Sequence, residues 1–64
     1  MDRTHVRREV LAELVEVARK HAAQHAERYQ TAVELGDDEL ARRAYASQDA
    51  WMEVARLLKL EMER

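Results

Sequence analysis

Apolar and polar positions recur along this 64-residue chain with the period of an α-helix, in two long runs separated by a single break. In the first run, Val6, Val10, Leu11, Leu14, Val15, Val17, Ala18, Ala22, Ala26, Tyr29, Ala32 and Val33 gather on one side of a wheel drawn at about 100° per residue. Glu9, Glu13, Glu16, Lys20, Glu27, Thr31 and Glu34 fall on the other side. The apolar arc takes up about half the circumference, wider than the seam of a two-stranded coiled coil. The second run presents Leu40, Ala41, Ala44, Trp51, Met52, Ala55, Leu58 and Met62 as its main face. Val54, Leu57 and Leu60 spread off that face towards the C-terminus.

The break is Gly36, the one glycine in a chain without proline. Gly supplies the left-handed backbone conformation that ends helices. Helix 1 is therefore expected over about residues 3–35, capped by Asp2 or Thr4, and helix 2 over about 38–62. Asp37 is the expected N-cap of helix 2, with Asp38 and Glu39 adding negative charge at its positive end. Glu16–Lys20, Asp38–Arg42 and Glu39–Arg43 have the i,i+4 spacing, acid first, that favours an exposed helical face. Nothing in this pattern leaves room for a sheet. The fold class is all-α, an antiparallel helical hairpin in one domain.

One hairpin is too little cover for what it carries. After Met1 there are 18 large apolar side chains, and two helices side by side shield only about half of their surface. The chain has no cysteine, so disulfides are excluded and oligomerisation is the remaining common means of stabilising so short a fold. A symmetric homodimer forming a four-helix bundle is the simplest closed arrangement. Folding back at Gly36 brings the broad ends of the two arcs together. The expected interface is thus Val6, Val10, Leu14 and Val17 with Trp51, Val54, Leu57 and Leu58. A tetramer or an additional protein partner stays open, because Leu57 and Leu60 offer a second patch.

A formal charge of -2 gives no general attraction to nucleic acid or anionic lipid. No apolar run approaches the roughly 20 residues that cross a bilayer, and no charged-then-apolar leader opens the chain. A cytoplasmic protein is expected, with no membrane partner. No catalytic constellation is visible. Ser47 is the lone serine, no His stands in register beside it, and there is no Gly-rich phosphate loop. No enzyme and no cofactor are expected. A structural or protein–protein interaction role, as an adaptor or regulatory subunit, is.

Two alternatives rest on particular residues. His21 and His25 lie i,i+4 within the apolar arc, the spacing with which two imidazoles share a metal ion. The first reading of this pair is a polar core layer, with His25 and Gln48 hydrogen-bonded across the hairpin and His21 opposite Trp51 or Met52. A His-based metal site is the second. Trp51 and Met52 themselves read as core anchors. Arg3, Arg7 and Arg8 cluster at the N-terminus, and Arg42 with Arg43 near the turn. A dimer would double each cluster, and its architecture resembles the small plasmid copy-number hairpins that bind RNA on one helical face, with no shared motif. Glu9, Glu13, Asp38 and Glu39 interleave with these arginines and weaken their field, so an ordinary solvated face takes precedence over nucleic acid.

Overall fold

The structure, a computed structural model, describes residues 3–64, with side chains from His5 onward. It consists of α1, Arg3–Leu35, and α2, Asp38–Met62, folded back on each other as an antiparallel hairpin 53 Å long. Of the two expected N-caps, Asp2 lies outside the described residues, and Thr4 falls within α1 and so is not the cap.

The turn is tight because backbone groups freed at the helix ends bond across it. Gly36 adopts φ 73. Its N–H donates to the Val33 carbonyl at 3.1 Å, and the Asp37 N–H donates to the Ala32 carbonyl at 2.9 Å, the paired bonds of a Schellman motif. Asp37 then caps α2, its Oδ1 accepting from the Leu40 N–H at 3.0 Å. Asp37→Ala removes this bond and is expected to cost about 1 kcal/mol in urea unfolding at fixed protein concentration. At Gly36 an added Cβ would meet nothing within 4 Å. Gly36→Ala is therefore expected to cost about 1 kcal/mol from backbone conformation alone.

Contact between the helices follows a regular seam. Leu11, Val15, Ala18, Ala22, His25, Tyr29 and Ala32 on α1 are all buried or half-buried. So are Ala41, Ala44, Gln48, Trp51, Ala55, Leu58 and Met62 on α2. Both series step alternately by three and four residues, the spacing that keeps one stripe of a helix facing a neighbour. The fully buried members are small: Val15 and the alanines at 18, 22, 32, 41 and 44. Among the described residues no large side chain is fully buried. Alanine lets the helix axes approach closely but removes little apolar area from water.

Aromatic contacts supplement the seam. His21 stacks on Trp51 with ring centroids 4.3 Å apart and planes 17° from parallel. Tyr29 and Tyr45 meet nearer the turn at 5.7 Å in a tilted arrangement. Arg7 and Glu61 tie the open ends together. On the surface, Glu39 pairs with Arg43 at 2.8 Å, while Glu16 reaches Arg19 at 3.7 Å in place of Lys20. Such exposed pairs contribute little to stability. Met52 departs from its expected place as a core anchor and is 55% exposed. The seam steps from Trp51 to Ala55, so Met52 falls just beyond it.

Candidate functional site

The seam divides the rest of each helix into two flanks. Leu14, His21 and Arg28 precede seam residues of α1, and Leu40, Ser47, Val54 and Glu61 precede seam residues of α2, so all lie on one flank. Two contacts fix this side. Arg7 reaches Glu61, and Arg28, Leu40, Arg43 and Ser47 share a hollow of about 140 Å³ with His25 and Ala44. Val10, Val17 and Leu57 extend the same flank outward by one helical step.

This flank changes character along its length. Near the open end it is apolar, with Val10, Leu14, Val17, Val54 and Leu57 each 40 to 53% exposed. Val6, near the start of α1, is also exposed. Past the His21–Trp51 stack it becomes polar and basic, with Gln24, Arg28, Arg43 and Ser47. Of the expected interface residues, Trp51 and Leu58 sit half-buried in the seam of the same hairpin. The other six are exposed, five of them along the flank and Val6 near the start of α1.

Of the three residues of the expected polar layer, His25 and Gln48 stay in the seam and His21 lies beside it. His21 lies at the flank with its ring against Trp51. His25 is half-buried in the seam and borders the hollow with Arg28 and Arg43. Gln48 is half-buried in the seam of α2. Among the described residues the expected His25–Gln48 hydrogen bond is not formed, and the side-chain bonds there are made by other groups. Neither side chain leaves a buried polar atom without a partner. Their partial exposure keeps those atoms in reach of water, so the bond is not obligatory. Among the described residues no three His, Cys, Asp or Glu side chains converge as a metal site.

The arginine clusters stand at opposite ends of the 53 Å hairpin. Arg7 is held by Glu61 and Arg43 by Glu39, whereas Arg8 and Arg42 are exposed; the side chain of Arg3 falls outside the described positions. One hairpin keeps the two clusters apart along its length.

The opposite flank carries a feature that the hydrophobic pattern does not single out. Arg19, Ala22, Met52, Ala55, Arg56 and Lys59 line a hollow of about 280 Å³. Ala12, Val15, Glu16, Arg19, Lys59 and Met62 line another of about 300 Å³. Arg19 and Lys59 border both, so the two adjoin end to end as a trough along this flank. Arg56 also donates from Nε to Glu53 at 3.0 Å. That hydrogen bond holds the Glu53 carboxyl below the usual carboxylate range.

The chain matches no protein-family model, no curated protein and no solved structure. Fold and surface together define an all-α, two-helix hairpin with an alanine-rich seam and an uncovered apolar flank. Among the described residues no helix is long and apolar enough to cross a membrane.

Proposed function

We propose that this chain is a self-associating interaction module of the cytoplasm. In this reading two hairpins bury the Val6–Val10–Leu14–Val17 and Val54–Leu57 flank against each other as a four-helix bundle, in an adaptor or regulatory role with no catalytic chemistry of its own. The observation that carries the proposal is the mismatch between seam and flank. Among the described residues, what the hairpin buries is five alanines and one valine, while the larger apolar residues of the flank stay about half exposed. Monomers rarely leave so continuous an apolar patch in water. A second copy is the natural occupant because a twofold interface must be self-complementary. An apolar patch meets that condition without having to match charges.

Thermal unfolding at several protein concentrations tests the proposal. A hundredfold increase in concentration stabilises an associated state by about 2.7 kcal/mol. The unfolding midpoint should therefore rise by about 10 °C. A midpoint independent of concentration would overturn self-association as the source of stability.

A further inference from the structure

We infer that the trough between Arg19 and Lys59 is a docking groove for an acidic amphipathic helix of a different protein. It lies on the flank opposite the proposed self-association surface and stays open when that surface is covered.

The shape of the trough favours a helix. On α1 it runs from Ala12 to Ala22 and on α2 from Met62 to Met52, with Ala12 beside Met62 and Ala22 beside Met52 at its two ends. At 1.5 Å per residue each wall is about 15 Å long, or about three helical turns. Ala12 is exposed and Ala55 half-buried, and their small side chains let an incoming backbone approach closely. Met52 and Met62 are unbranched and polarisable, and adapt to whichever apolar side chains arrive. An open trough of this length fits a helix lying along it better than a compact small molecule, which is normally enclosed on most sides.

Charge selects the kind of helix. Arg19, Arg56 and Lys59 line the trough against one acid, Glu16, on a chain whose formal charge is -2. The groove is thus locally positive on a protein that is negative overall. Arg19 and Arg56 each have a carboxylate from their own helix, Glu16 and Glu53, whereas Lys59 has no ion pair among the described residues. A partner with an apolar stripe bordered by Glu or Asp would give Lys59 a counter-charge and cover the methionines together. Complementary borders of this sort set partner choice and orientation in helix pairing.

The test uses the full chain labelled with 13C at the methionine methyls. The probe is a synthetic helical peptide of about 15 residues with Leu and Ala at three-four spacing and Glu on both borders, and its control has Lys on the borders. The Glu peptide should shift the Met52 and Met62 methyl signals. Arg19→Gln with Lys59→Gln should weaken it about tenfold, and Arg19→Glu with Lys59→Glu further still. Lys59→Arg should keep the binding, and none of these variants should alter self-association.

Three results would each overturn the inference: no shift at millimolar peptide, equal binding of the Lys-bordered control, or indifference to the charge changes. Loss of self-association in the Gln or Glu variants would also overturn it, by assigning the groove to a second copy. Binding of the variants to anionic phosphatidylserine vesicles in proportion to their charge, without peptide binding, would reassign it to a lipid surface. Self-association is read separately by sedimentation, so failure here leaves the proposed bundle standing or falling on its own data.

Discussion

Replacing Leu14 and Leu57 together with lysine is expected to weaken self-association by roughly 1000-fold, with helicity falling only as the assembly dissociates. In the hairpin these side chains are 44% and 53% exposed, so it loses little when they become polar, and the lysine stems still lie along the surface. In a twofold bundle the loss counts in both copies. Four leucine side chains each forfeit the roughly 1 kcal/mol that covering their open half supplies, a total on the order of 4 kcal/mol, or about three decades in Kd. Sedimentation velocity and circular dichroism on the same samples measure the two effects separately. Met52→Lys is the matched control, because Met52 is 55% exposed but lies on the other flank. It should leave association unchanged. If Leu14→Lys/Leu57→Lys sediments like the wild type, the assigned flank is wrong.

The second large effect belongs to the seam. Ala18 and Ala32 are 1% and 0% exposed, so a leucine at either site must push the helices apart or take a strained rotamer. Overpacking of this kind costs about 1–3 kcal/mol, and Ala32→Leu is expected near the upper end of that range. The Ala32 carbonyl is fixed by the Asp37 N–H in the turn, so the helices have little freedom to spread there. Ala18 lies further from the turn, where small shifts of both helices absorb part of the strain. Ala23→Leu and Ala46→Leu, at exposed positions, should stay within about 0.5 kcal/mol of wild type. Urea unfolding at one fixed protein concentration makes the comparison. Equal stability of Ala32→Leu and Ala23→Leu would show that the seam is not closely packed.

The turn was the most legible part of the chain, since Gly36 followed by Asp37-Asp38-Glu39 carries both a helix stop and a helix start. The helix bounds follow from it almost to the residue. The broad apolar arc of α1 was harder to resolve, because a 3.6-residue wheel merges positions that a paired helix keeps apart. Once the three-four seam is known, Val15, Ala18, Ala22 and Ala32 separate as buried residues from Val10, Leu14 and Val17 on the flank. The same step distinguishes the two histidines. His21 precedes a seam residue and stacks on Trp51, while His25 is itself a seam residue beside Arg28 and Arg43.

Other features depend on distances across the hairpin, which periodicity along one helix does not contain. A His25–Gln48 hydrogen bond requires the two side chains to meet at bonding distance, and opposite register alone does not bring them there. The trough of Arg19 and Lys59 escaped notice for a related reason. Its residues are far apart in sequence and mix apolar with basic, so neither a hydrophobic run nor a charge cluster marks them. A useful signal would have been an exposed methionine and basic residues placed just after seam positions on both helices.

The first of these effects depends on whether the apolar flank is covered by a second copy. Sedimentation equilibrium of the unmodified chain at micromolar concentration tests that most directly. The account predicts a mass of twice the 7.5 kDa chain, falling towards the monomer on dilution together with helicity. A stable, fully helical species of 7.5 kDa across the whole concentration range would contradict it.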